Sequence, residues 1–200
     1  KFSVIGYGNV GSWTARILAK HGAKLVAVLD HTGAIRNDGG LDTEALAVHV
    51  SKTGGVGGYK SATAINAEDF YKTKVDVLIP AALEQMIKDR EAGWIDAKVI
   101  AEGANAPTTP AGDRALEKRG IEVIPAILAN AGGVTVSYFE WVQNKTCTLW
   151  ELDEVDRKLN QHMVAAARRT LVMKEKYGCD MRTAAYAAAL KVLTHYATLD

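Results

Sequence analysis

The segment FSVIGYGNVG, residues 2–11, joins a short apolar run to glycines at positions 6, 8 and 11. Phe2–Ile5 is apolar at nearly every position, as expected of a strand buried on both faces of a parallel sheet. A helix candidate, Val10–Lys20, follows at once. A GxGxxG match alone is weak, but placed between a strand and a helix it has the context of a dinucleotide fingerprint. Each glycine has a physical reason. Gly6 permits the tight turn, Gly8 lets the backbone approach a pyrophosphate, and Gly11 lets helix and strand pack closely. The pyrophosphate would rest on the positive end of the helix that starts near Asn9. The competing reading is a structural strand–helix turn with no ligand.

Outward from this segment the pattern alternates to about residue 125. Further strand candidates are Lys24–Leu29, Val75–Ile79, Lys98–Ala101 and Glu122–Ile124, and further helix candidates are Thr43–Ser51, Leu83–Ala92 and Pro110–Arg119. Repeated strand–helix–strand units predict an α/β fold of the Rossmann type, a doubly wound, mostly parallel sheet with right-handed crossovers. After Pro125 the chain becomes helical. Val134–Gln143 reads as one helix, and Thr148 with Glu151 fits a capping box for a long helix. That helix carries Leu152, Val155, Leu159, Met163, Thr170 and Tyr177 near one face and ends at Gly178. Asp180 is placed to cap a last, alanine-rich helix from Met181 to about Ala197, which another helix could approach closely. The expected organisation is a dinucleotide-binding core over residues 1–133, completed by a helical segment over 134–200. Gly54, Gly55, Gly57 and Gly58 read as a mobile surface loop.

Asp30 ends the second strand about twenty residues beyond the glycine motif, where a carboxylate accepts hydrogen bonds from the adenosine ribose and repels a 2′-phosphate. NAD is therefore the expected cofactor. His31 and Arg36 stand close in sequence and could reach a 2′-phosphate, which keeps NADP as the alternative. Ligands in open α/β sheets lie beyond the carboxyl ends of the strands. The turns there are Pro80-Ala81-Ala82, Glu102-Gly103-Ala104-Asn105 and Asn130-Ala131-Gly132-Gly133. Small residues at Ala81 and Ala82 would let a flat ring system pass, and the amides of Asn105 and Asn130 can both donate and accept, as a nicotinamide carboxamide requires.

Composition removes other classes. The chain has 200 residues, 48% hydrophobic and 24% charged, which excludes disorder and a fibrous repeat. A net charge of +1 gives no bulk attraction to nucleic acid or an acidic membrane surface, and the aromatic residues lack a basic stripe for base stacking. Cys147 and Cys179 form no CxxC pair and read as free thiols. His21, His31, His49, His162 and His195 show no metal-ligand spacing. No apolar stretch approaches the ~18 residues of a membrane span, and nothing resembles a signal peptide, so a cytoplasmic location is expected. A chain that opens with Lys1 inside its first strand is expected to be a piece of something longer.

Five segments together carry a resemblance: GYGNVGSWTA (6–15), GGLD (39–42), IPAALE (79–84), AEGANAPTTP (101–110) and LANAGGVTVSYFEWVQN (128–144). With them the chain resembles the family of glutamate, leucine, phenylalanine and valine dehydrogenases. VTVSYFEW favours the glutamate branch, and the matching region there is the C-terminal NAD(P)-binding domain. The resemblance implies that Gly6, Gly8, Asn9, Val10 and Gly11 hold the pyrophosphate and that Asp30 faces the adenosine ribose. It implies that Ala81 and Ala82 line the cofactor cleft and that Asn105 and Asn130 orient the nicotinamide. Val134 and Ser137 would reach the bound glutamate, the Ser137 hydroxyl donating to its side-chain carboxylate. The bland alternative for Ser137 is a helix serine bonded to its own backbone.

The family reaction is reversible oxidative deamination of L-glutamate to 2-oxoglutarate and ammonia. Its base and activated lysine come from an N-terminal substrate domain, which is absent from this sequence. Lys60 follows a glycine patch but does not match the family's lysine motif, so no catalytic residue is expected in this chain. It is expected to bind cofactor without turnover, and the full-length protein to form a homo-oligomer, a hexamer by resemblance. Ala126 stands where the family commonly has aspartate. Ala111 and Gly112 replace a glutamate and an alanine, which is expected to weaken a helix start. Two other readings stay open: a non-catalytic dinucleotide-sensing module, and a Rossmann-like methyltransferase, in which NAGGVTVSYFEW would have no role. The alanine-rich last helix is the expected surface for non-native association.

Overall fold

The computed structural model describes residues 1–197, and the expected segment's last residues, 198–200, lie outside the described residues, as does the side chain of His195. The chain forms two compact units, Lys1–Val123 and a second from Ile124 onward.

In the first unit, β1 (Phe2–Ile5) is buried at every position, and α1 (Asn9–Lys20) follows the glycine turn. β2 (Leu25–Asp30), β5 (Val75–Pro80) and β6 (Ala97–Ala101) are the other parallel strands, β1 pairing with both β2 and β5, and β5 with β6. β3 (Gly33–Arg36) and β4 (Thr63–Ile65) extend the sheet antiparallel beyond β2. With β7 (Glu122–Ile124) the order is β4-β3-β2-β1-β5-β6-β7. The chain leaves β1 for one side of the sheet and returns at β5 on the other, so the reversal of strand order falls beside β1. Both faces are covered. Phe2, Val4, Leu25 and Val28 pack with Ala15 of α1 and Leu46 of α2 (Thr43–Thr53). Ile5, Val26 and Leu78 pack with Phe70 of α3 (Ala67–Tyr71), Ala92 of α4 (Asp89–Trp94) and Leu116 of α5 (Pro110–Lys118). This is the doubly wound α/β arrangement that the alternating pattern predicts.

Several local expectations need correction. Residues 83–88 are not helical: the Gln85 and Ile87 N–H groups donate to the carbonyls of Ala106 and Pro107, both at 2.9 Å, and Ile87 is wholly buried. This pairing with a distant segment overrides helix propensity and delays α4 to Asp89, where the Glu91 carboxylate accepts the Lys88 N–H at 3.1 Å. Gly112 is no mere weakness of α5. A Cβ there would stand 2.5 Å from the Ile87 carbonyl oxygen, so glycine is what lets the two segments meet. Thr109 caps that helix, accepting the Gly112 N–H at 3.1 Å. The glycine patch at 54–58 is not a free loop either. Gly54 ends α2 in the left-handed region at φ +84°, and Val56 is wholly buried.

The second unit holds α6 (Ala126–Ala129), α7 (Ala131–Thr146), α8 (Leu152–Tyr177) and α9 (Met181–Ala197). The capping box at Thr148 does not form: α8 starts at Leu152 with Glu151 as its cap residue. The Gln143 side-chain oxygen takes the Trp150 N–H at 2.7 Å, and the Trp150 ring lies 5.6 Å from that of Phe139, which holds 147–150 in a turn. Of the face expected on α8, Thr170 is buried, Leu152 and Tyr177 are exposed, and Met173 is the buried residue the pattern missed. Gly178 ends α8 at φ +58°, and the Asp180 carboxylate accepts the Thr183 N–H at 3.0 Å at the start of α9. Ala184 and Ala188 pack against Met173, so α8 covers the alanine face of α9, while Tyr186, Leu190 and Leu193 leave apolar surface exposed on the same helix. Both cysteines are free. Among the described residues no helix is long and apolar enough to cross a membrane, and no cluster of His, Cys, Asp or Glu could hold a metal ion.

Candidate functional site

The site begins where β1 ends. Gly6 has φ +87°, in the region glycine favours, and its N–H donates to the Leu29 carbonyl at 2.7 Å, fixing the turn to β2. A Cβ on Gly11 would lie 2.0 Å from the Gly6 carbonyl oxygen, so α1 can begin this close to the strand only with glycine there. Around Gly8 the protein leaves open space: an added Cβ would meet no atom within 4 Å. Gly8 is also the cap residue of α1 and offers no side-chain acceptor, and the first turn of α1 contains no acidic residue. The positive end of α1 is left for an anion. Asn9 and Val10 are exposed at this end. Tyr7 anchors the turn from below. Its ring is buried among Val4, Ile35 and Leu46, and its hydroxyl donates to the Thr43 carbonyl at 3.0 Å. Burial pushes the phenol far above its ordinary pKa, so it stays a neutral donor.

The neighbouring strand ends close the floor. The Ala81 N–H donates to the Ile5 carbonyl at 2.7 Å, and the Pro80 carbonyl accepts the Gly103 N–H at 3.0 Å and the Ala104 N–H at 2.9 Å. A Cβ on Gly6 would stand 2.7 Å from that of Ala82, and one on Gly103 would stand 3.3 Å from both the Ala81 Cβ and Val10 Cγ1. Gly6, Val10, Gly11, Ala81, Ala82 and Gly103 thus converge at the carboxyl ends of β1, β5 and β6. Asn105 follows β6 and is exposed, while Glu102 is wholly buried and engaged within the protein. In the sequence Glu102 stands out only as part of a turn.

Asp30 closes β2. Its Oδ1 accepts the Thr32 N–H at 2.7 Å and the Thr32 hydroxyl at 2.6 Å, and its Oδ2 accepts the Val56 N–H at 2.8 Å. Thr32 Oγ1 in turn accepts the Gly57 N–H at 2.8 Å. Asp30 is legible in the sequence and this clasp is not, although Asp-x-Thr is a recognisable turn motif. Of the two alternative phosphate ligands, His31 is exposed beside Asp30. Arg36 is carried away from it, because β3 runs antiparallel: Asp30 stands opposite Gly33, and Arg36 opposite Ala27. Its guanidinium is engaged by Asp38 through bonds of 2.7 and 3.1 Å.

In the second unit, Asn130 closes α6 and opens α7. Val134 and Ser137 follow at helical spacing on α7, both exposed. The neighbouring Thr135 bonds back to the Ala131 carbonyl at 2.8 Å, whereas among the described residues the Ser137 hydroxyl makes no such bond.

The family model for Glutamate/Leucine/Phenylalanine/Valine dehydrogenase matches residues 1–198. Glutamate dehydrogenase of Thermotoga maritima is 47% identical over 189 residues, covering 94% of this chain and 45% of the relative. NADP-specific glutamate dehydrogenase A1 of Halobacterium salinarum is 46% identical over 191 residues, 94% of this chain and 46% of the relative. Among solved structures, glutamate dehydrogenase from Peptoniphilus asaccharolyticus superposes with a TM-score of 0.83 at 32% identity, covering 99% of this chain and 46% of that one. The hetero-hexameric enzyme from Thermus thermophilus gives 0.89 at 27% identity, with 96% and 45% covered. The chain spans a little under half the length of the curated relatives it matches. A sheet whose strand order reverses at a glycine-built turn, matched to the family over nearly its whole length, makes this chain a member of the glutamate, leucine, phenylalanine and valine dehydrogenase family.

Proposed function

We propose that this chain is the NAD(P)-binding domain of a glutamate dehydrogenase, an enzyme that oxidatively deaminates L-glutamate to 2-oxoglutarate and ammonia. The single observation that carries the reading is the open space over Gly8 at the uncapped start of α1, flanked by the backbone-built floor at Ala81, Ala82 and Gly103. The donor set fits a dinucleotide. The turn from Gly6 to Gly11, with Asn9 and Val10 at the helix start, would take the pyrophosphate. Asp30 would accept from the adenosine ribose, and Asn105 and Asn130 would orient the nicotinamide. When bound, the cofactor supplies a hydride acceptor for the α-carbon of glutamate. Val134 and Ser137 would face the substrate, Ser137 with a hydroxyl not committed to its own helix.

NAD is the preferred cofactor in this reading, with NADP the alternative. A carboxylate clasped at the end of β2 supports that preference, as does an arginine turned to the opposite end of β3. The base and lysine of the reaction belong to a substrate domain outside this sequence, and the whole protein is a homo-oligomer, a hexamer in this reading. Titration of the chain with NADH and NADPH, followed by cofactor fluorescence, tests it. Saturable NADH binding with a weaker NADPH response, and no glutamate turnover by the chain alone, is the expected result. Binding of neither by a chain whose circular dichroism shows it folded would overturn the reading.

A further inference from the structure

We propose that Thr32 and the Gly54–Gly58 segment form a clamp that positions the Asp30 carboxylate and so sets the discrimination between a free and a 2′-phosphorylated adenosine ribose; this deepens the functional reading above and rests on it. An ionised carboxylate accepts about four hydrogen bonds, two on each oxygen. Thr32 fills Oδ1 with its N–H and its hydroxyl, and Val56 occupies half of Oδ2. One acceptor direction remains, suited to a ribose hydroxyl and useless to a phosphate, which brings no proton and a like charge.

The clamp is braced from both sides. The Thr32 hydroxyl gives its only proton to Asp30, so its oxygen is free to accept the Gly57 N–H at 2.8 Å. The segment comes this close because it lacks side chains. A Cβ on Gly55 would stand 2.3 Å from Thr32 Cγ2 and 2.4 Å from Thr32 Oγ1. The wholly buried Val56 side chain pins the segment to the core formed by Phe2, Val4 and Leu46. Asp30 therefore cannot turn aside for a phosphate without losing three hydrogen bonds. Released from the clamp it could, and the N–H groups of Val56 and Gly57 would then face an incoming anion. Thr32 is thus a positioning residue.

Three variants of the chain test this with NADH and NADPH titrations. Thr32→Val keeps the shape but removes the hydroxyl, Gly55→Ala displaces the Thr32 side chain without removing any donor group from the chain, and Thr32→Ser restores the hydroxyl. The preference for NADH over NADPH is expected to fall about tenfold in T32V and in G55A, the effect of about one charge-assisted hydrogen bond, and to return in T32S. A general structural defect would weaken both cofactors equally and leave the ratio unchanged. An unchanged ratio in folded T32V and G55A, beside a parent chain that binds NADH, overturns the clamp and leaves the functional reading standing. A folded parent that binds neither cofactor overturns both.

Discussion

A methyl group on Gly8 meets nothing within 4 Å, whereas one on Gly11 would collide with the Gly6 carbonyl oxygen at 2.0 Å. The two glycines serve different ends, and substitution separates them. Gly8→Ala should keep its thermal midpoint, with stability changed by no more than about 0.5 kcal/mol, while dinucleotide affinity falls at least about tenfold. Gly11→Ala should be destabilised in denaturant melts before any ligand is added. Tyr7→Phe removes the donor to the buried Thr43 carbonyl and should cost about 1 kcal/mol in the same melts. The glycine spacing and Asp30 were legible in the sequence because local chemistry demands them. The partner of Asp30 was not: Val56 lies 26 residues away, and no local period connects a carboxylate to a distant backbone N–H. The same blindness hid Gly112, whose neighbour is the Ile87 carbonyl.

Helix ends carry the next set of forces. Asp42 opens α2, its Oδ1 accepting the N–H groups of Glu44 and Ala45 at 3.0 Å each, and Asp42→Ala should lower stability by about 1 kcal/mol. Glu91 opens α4 and has a pH signature. Burial pushes its carboxyl up, but the Arg90 guanidinium and the N–H groups of Lys88 and Glu91 outweigh this and hold it below the ordinary glutamate range. The unfolded chain therefore takes up the proton first as pH falls. The stability Glu91 contributes is complete above the ordinary glutamate range and is lost as pH drops through it toward the lower folded value. Glu91→Gln should flatten this acid limb in denaturant melts run across that range. Most elements of several turns, and strands apolar throughout, could be read from sequence to within a residue or two, but α7 runs three residues beyond Val134–Gln143 at each end. β3, β4, α3 and α6 were not legible, since three to five residues hold little of any period, although the equally short β1, β6 and β7 were. Residues 83–88 look helical because propensity is local, and they form a turn and a single bridge instead because their partners are residues 106–109.

At the scale of the whole molecule, one stretch of apolar surface left uncovered lies along α7. Val134, Tyr138 and Trp141 are 72%, 55% and 56% exposed, and the two rings stack at 6.0 Å. A stripe of this kind favours association. The chain should self-associate reversibly as concentration rises in sedimentation velocity, and Trp141→Glu should shift that equilibrium toward the monomer. The fold class was readable from the alternation of strands and helices, whereas which apolar faces stay bare depends on packing that alternation does not record. The Pro80 carbonyl, with its pair of amide donors, points to a last consequence. The floor beside it is made of peptide groups, which every residue possesses, so its shape is inherited from the path of the chain. Side chains around it can be exchanged without erasing it as long as Gly6, Ala81, Ala82 and Gly103 stay small. The Asp30 end depends instead on a few named side chains and is the place where a small number of substitutions could rewrite what the domain accepts.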